Sequence, residues 1–118
     1  MNIRSFIENM PKAEIHFHFD GATSPTSALE LSRRNRHPLP FSSEEEAAKL
    51  FEYDNLGDFL KIINSVCQVI QTKDDFSYLT YELAKDAKRQ NIRYREVMLS
   101  VNYHETRGIP FETQIEGF

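Results

Sequence analysis

Residues 13 to 22, AEIHFHFDGA, decide how the chain is read. Ile15, Phe17 and Phe19 alternate with Glu14, His16, His18 and Asp20. Strict alternation of aromatic and β-branched residues with polar ones predicts a β-strand. The strand is expected to stop at Asp20-Gly21, where glycine supplies the backbone freedom of a tight turn. Period 2 places His16 and His18 on one side, roughly 6.6–7 Å apart along the strand. Two imidazoles at that spacing can converge on one metal ion through bonds of about 2.0–2.1 Å. Asp20 falls at the strand's C-terminal end, where parallel α/β architectures bind ligands. A solvated edge strand would carry the same His-x-His, and Asp-Gly alone would also suit a hairpin.

Working outward separates these readings. Residues 3 to 10 form a short helix or turn before Pro11. After the turn, TSPTSALELSRRN reads as a helix with Ser24 as N-cap, Pro25 in the first helical position and Asn35 as its stop. A helix rather than a returning strand follows the turn, so the hairpin reading fails. HPLPF is a loop, and Ser43 with Glu46 makes a capping-box pattern opening a short helix through Phe51. A longer amphipathic helix carries Leu56, Phe59, Leu60, Ile63, Val66, Cys67 and Ile70 at helical spacing. Another runs from about Asp75 to Gln90, burying Phe76, Leu79, Leu83 and Ala87, with Lys88 and Arg89 suited to its negative end. IRYREVMLSV, residues 92 to 101, is the second strand, NYHETRGIP a loop, and FETQIEGF the start of a further helix. Strands separated by helices define an α/β chain with a parallel sheet. Unpaired histidines inside such a sheet would be costly, and a bound metal removes that cost. The metal reading is therefore preferred.

At 118 residues, 40% hydrophobic and 27% charged, the chain has the size and composition of one globular domain. Nothing approaches the roughly 18 consecutive apolar residues of a membrane span. The N-terminus has no apolar core followed by a small-residue cleavage site, and Cys67 is the only cysteine. A disulfide framework is thereby excluded, and a cytoplasmic setting is expected. The net charge of −4 leaves RRNRH (33–37) and KRQNIRYR (88–95) as solvated helix ends rather than a nucleic-acid footprint.

MPKAEIHFHFDGATSPTSALELSRRN closely resembles the N-terminal segment of the adenosine deaminase family, in the metal-dependent amidohydrolase superfamily. Pro11, Lys12, Glu14, His16, His18, Asp20 and Gly21 match that family's pattern position by position, with Ile15 in place of leucine. Weaker similarity continues through NLGDFLKII and NIRYREVMLSVNYHETRGIPFETQIEGF. The resemblance implies that residues 1–118 are the N-terminal portion of a single deaminase domain. That domain would be a (β/α)8 TIM-type barrel of roughly 330 to 350 residues, of which only the opening β/α units lie here.

By the same resemblance, His16 and His18 are two ligands of a Zn2+ ion, and Asp20 accepts a hydrogen bond from the ribose 5′-hydroxyl. The helix with Leu56 and Phe59 lies over the sugar side of the pocket. The implied reaction is hydrolytic deamination of a purine nucleoside, adenosine to inosine with release of ammonia. Adenine and aminodeoxyfutalosine are the alternative substrates. The family's third zinc histidine, catalytic glutamate and closing Asp-Asp pair belong to later strands, so no catalytic residue is assigned here, and the chain alone is expected to be inactive. His104, just past the second strand, could reach the barrel mouth but has no metal role in the family pattern. Two parallel strands covered by helices on one side would leave edges and apolar surface open, so the isolated piece is expected to self-associate. A non-catalytic binding piece of the same fold is the remaining reading.

Overall fold

The computed structural model describes residues 2–118. Two parallel strands, β1 (Lys12–His18) and β2 (Ile92–Met98), form its sheet. Around them run α1 (Ile3–Asn9), α2 (Pro25–Asn35), α3 (Glu44–Leu50), α4 (Leu56–Gln68), α5 (Lys73–Arg89), α6 (Val101–Thr106) and α7 (Phe111–Gly117). The crossover between the parallel strands is thus made of four helices. The second strand ends three residues before its sequence-based boundary, because Ser100 opens α6 where a loop was expected.

Capping explains most helix ends. Ser24 accepts from the Ser27 amide with Pro25 at the first helical position, and Arg36 closes α2 in the left-handed region. Ser43 caps α3 through the Glu46 amide, but the Glu46 carboxylate turns back to Ser42 rather than to Ser43. Helix α5 starts two residues before Asp75, at a full capping box between Thr72 and Asp75. Asp75 is buried and its Oδ2 accepts from the amides of Gln71 and Thr72 and from Asn35 Nδ2, at 2.7–2.9 Å. Asn35 also donates to the Val69 carbonyl at 2.8 Å, so one side chain joins the ends of α2, α4 and α5.

The main core gathers Phe19, Leu31, Val69, Ile70, Phe76, Leu79 and Ile109 between the end of β1 and helices α2, α4 and α5. A second cluster, Ala28, Phe41, Ala47 and Val66, sits under α3. Ile15, Tyr94 and Met98 on the sheet remain largely exposed, as do Leu56 and Leu60 on α4. The basic stretches are taken up by neighbouring acids: Arg33 and Arg34 pair with Glu30, Arg89 with Asp86, and Arg95 with Glu14. No helix among the described residues is long and apolar enough to cross a membrane.

Helix α7 closes on α5 at Gly117. A Cβ there would meet the Lys73 carbonyl oxygen and, at 2.6 Å, Phe76 Cβ. Gly117→Ala is expected to cost about 1–3 kcal/mol through overpacking, read as a lower urea midpoint, whereas Gly108→Ala meets no such wall and is limited by its φ of 85° alone.

Candidate functional site

The polar face of β1 is not a regular period-2 face. Glu14 pairs with Arg95 and Phe17 with Val97, so three steps on β1 oppose two on β2. This is a bulge, and within it His16 adopts φ 58°, the left-handed region that residues other than glycine seldom enter. Ile15 is consequently turned to solvent, 68% exposed, while Phe17 lies under the Arg95 guanidinium at 3.9 Å from ring centre to Cζ. Phe19, just past the strand, is fully buried.

The bulge sets the two histidines together. The rings of His16 and His18 are 5.0 Å apart, centre to centre, and both residues are exposed. Two imidazoles bound tetrahedrally to one zinc at about 2.0–2.1 Å have ring centres roughly 5–5.5 Å apart. The pair therefore fits two positions of a zinc site at the C-terminal end of β1. No cluster of three potential ligands occurs among the described residues, so these two donors fit half of a coordination sphere.

Two residues on, Asp20 leaves that face. It is buried, and its Oδ1 lies 2.7 Å from His104 Nε2 on α6. His104 is wholly buried, and its Nδ1 lies 2.8 Å from Arg107 Nη1. A guanidinium can only donate. Nδ1 must therefore accept, the ring proton must sit on Nε2, and His104 donates it to Asp20. Burial alone would raise the Asp20 carboxyl, but the hydrogen bond from His104, aided by Ser100, outweighs it and holds Asp20 below its ordinary value. Asp20 Oδ2 is buried, and no group, Ser100 included, meets it in full hydrogen-bond geometry. Arg107 Nη2 also donates to the carbonyls of Gln68 and Ile70, at 3.3 and 3.1 Å, tying α6 to the end of α4.

Of the residues on α4, Phe59 reaches the site: its Cζ lies 3.9 Å from where a Cβ on Gly21 would stand, beside the turn that follows β1. Leu56, at the first position of α4, stays 69% exposed. Cys67 is buried, which pushes its thiol up to about 12 and leaves it inert as a nucleophile. Glu96 on β2 is exposed and accepts from the Tyr94 hydroxyl at 2.5 Å. The Asp20–His104–Arg107 chain was not foreseen from sequence. A buried carboxylate needs a partner, and the His-x-x-Arg spacing on one helix face was the available signal.

A family model described as adenosine deaminase matches residues 11–118. The chain is 37% identical over 115 residues to an adenine deaminase of Wolinella succinogenes, covering 98% of this chain and 35% of that protein. An adenine deaminase of Crocosphaera subtropica is 36% identical with the same coverage. An uncharacterized deaminase of Schizosaccharomyces pombe is 37% identical over 116 residues, with 98% and 34% covered. The crystal structure of adenine deaminase from Arthrobacter aurescens superposes with a TM-score of 0.84 at 29% identity, over 92% of this chain and 33% of that one. An Arabidopsis N6-mAMP deaminase shares the fold at TM-score 0.73 and 18% identity, over 96% and 34%. The chain thus spans about a third of the length of the curated relatives it matches, and its fold is that of the opening β/α units of a (β/α)8 barrel.

Proposed function

The chain belongs to the adenosine deaminase family, and on that premise we propose that the protein is a zinc-dependent hydrolase removing the 6-amino group of a purine. Water adds at C6, the C6–N bond breaks, and ammonia leaves with a carbonyl formed on the ring. The observation that carries the reading is the convergence of His16 and His18, 5.0 Å apart at the C-terminal end of β1. Zinc held there would supply Lewis acidity, lowering the pKa of bound water toward about 7.

The chain's own residues hold and orient. His16 and His18, as neutral imidazoles, offer lone pairs without cancelling the ion's charge. Asp20 supplies an accepting oxygen at the strand end, and Phe59 covers the turn beside it. Residues 1–118 alone are expected to be inactive, since a catalytic zinc commonly takes three protein ligands plus water. The open sheet faces are where the isolated piece would self-associate.

The substrate is a small purine. Relatives 31–38% identical carry the name adenine deaminase, which puts the free base ahead of the nucleoside expected from the sequence. Adenosine is the second reading, favoured by Asp20 Oδ2, whose missing partner a ribose hydroxyl would provide. With the full-length zinc-loaded protein, adenine is expected to be deaminated with a kcat/KM at least about tenfold above adenosine, followed by ultraviolet absorbance and ammonia release. The reverse preference would support the second reading. Stoichiometric zinc with no turnover of either would leave a binding piece of the same fold.

A further inference from the structure

We propose that Met98, at the end of β2, is a contact residue for the purine and forms an apolar wall of its pocket beside the paired histidines. The inference rests on the purine-site reading and deepens it by naming a side chain that meets the ring. The two faces of β2 are told apart by what they touch. Arg95 donates to the Leu83 carbonyl of α5 at 3.0 Å and to Glu14 at 2.7 Å, and its guanidinium covers the Phe17 ring. That face is the one α5 covers. Successive strand residues alternate in direction, so Tyr94, Glu96 and Met98 lie on the other face, where the Tyr94 hydroxyl donates to Glu96. On β1 the same alternation turns His18 away from Phe17 and onto the face of Met98. Met98 is the register partner of His18, and neighbouring strands stand about 4.7–4.9 Å apart. Met98 is thus level with the histidine pair at the C-terminal end of the sheet, where parallel α/β architectures bind ligands.

The backbone of Met98 is fixed while its side chain is free. The Phe19 amide donates to the Met98 carbonyl at 3.0 Å, and Phe19 is fully buried, so this strand end is tied to the core. Leu99 packs against that core. The Met98 side chain takes no part in closing it, and the residue stays 46% exposed. Tyr94 and Glu96 satisfy one another and lie nearer the start of the strand, away from the histidines. Methionine is unbranched, with a polarizable thioether that packs favourably against aromatic rings. Such a wall suits a flat, uncharged purine, and it offers an anionic group no hydrogen-bond donor.

The test uses the full-length protein with 13C-methyl-labelled methionine. The Met98 resonance, assigned through Met98→Leu, should move when hypoxanthine or inosine saturates the zinc-loaded wild type. These are the products of adenine and adenosine deamination, so neither is turned over. The methyl of Met10, which precedes the first residue of β1, should stay where it is. Met98→Leu conserves the apolar volume and is expected to hold KM within about threefold of wild type. Met98→Ala should raise KM roughly tenfold or more, with kcat and zinc content little changed. A Met98 methyl that stays silent while product saturates the site would overturn the contact, whether or not any variant folds. An alanine variant with wild-type KM would overturn it as well. If neither product binds and neither adenine nor adenosine is deaminated, the purine reading fails and the contact falls with it. A silent methyl in a protein that still turns over purine counts against Met98 alone.

Discussion

Replacing His16 and His18 together by alanine in the full-length protein should remove the bound zinc and lower kcat/KM by on the order of 10⁴-fold or more. The size follows from what is lost: without the ion, the pKa of the attacking water rises from about 7 back to that of bulk water, and it is no longer an effective nucleophile at neutral pH. Both residues are exposed, so neither ring fills a core position, and exposed substitutions usually change stability by no more than about 0.5 kcal/mol. The left-handed backbone at His16 costs any residue with a Cβ about as much, so alanine there leaves that cost nearly unchanged. The apo wild type and the variant should therefore unfold at nearly the same temperature, while zinc raises the midpoint of the wild type alone. Metal stoichiometry by atomic emission, read beside steady-state kinetics, decides the matter. A variant that kept a full equivalent of zinc would show that these two imidazoles are not its ligands.

Phe19→Ala should be the most damaging single truncation, costing about 3–5 kcal/mol. Phe19 is fully buried, stacked on Phe76 with ring centres 5.9 Å apart and met edge-on by Phe118 at 5.6 Å. Against a typical domain stability of about 5–15 kcal/mol, that is a large share. The residue also stands between His18 and Asp20, so its ring is the peg that fixes how both neighbours leave the strand. Urea unfolding of the full-length variant should show a markedly lower midpoint and a weakened affinity for zinc. Ile15→Ala, on the exposed side of the same stretch, should shift the midpoint by no more than about 0.5 kcal/mol. Comparable losses at the two positions would mean that the core does not close around Phe19 as described.

What could be read in advance depended on how local its cause was. Helix α2 was legible at both ends because Ser24, Pro25 and Asn35 act within one turn of themselves. Thr72 and Asp75 also form a capping box at a spacing visible in the sequence, yet the hydrophobic stripe begins only at Phe76 and so points to a start at about Asp75. Helix α6 carries the sequence pattern of a loop. It has six residues, and Ser100 makes no side-chain cap bond, so it is held by tertiary contacts rather than by propensity. The alternation in β1 identified the strand but not its bulge, because a left-handed φ at a histidine leaves no trace in a binary pattern. Asp20 and His104 lie 84 residues apart in the chain. The sequence showed that the aspartate sits at a strand end, and only the fold shows which buried group it meets.

The bulge at His16 carries one more consequence. Ala13 and Glu14 pair in step upstream of it and Phe17 with His18 downstream, so the ladder from Ala13 onward would stay in register if the strand were one residue shorter. The added residue contributes nothing to pairing, and the backbone angle it imposes works against stability. A shorter, straighter strand would have been the sturdier piece of sheet. It would also have held the imidazoles at the repeat distance of a flat ribbon. The irregularity is thus a place where this chain departs from the easiest way of folding, and the departure falls on the first of the two imidazoles assigned to the metal.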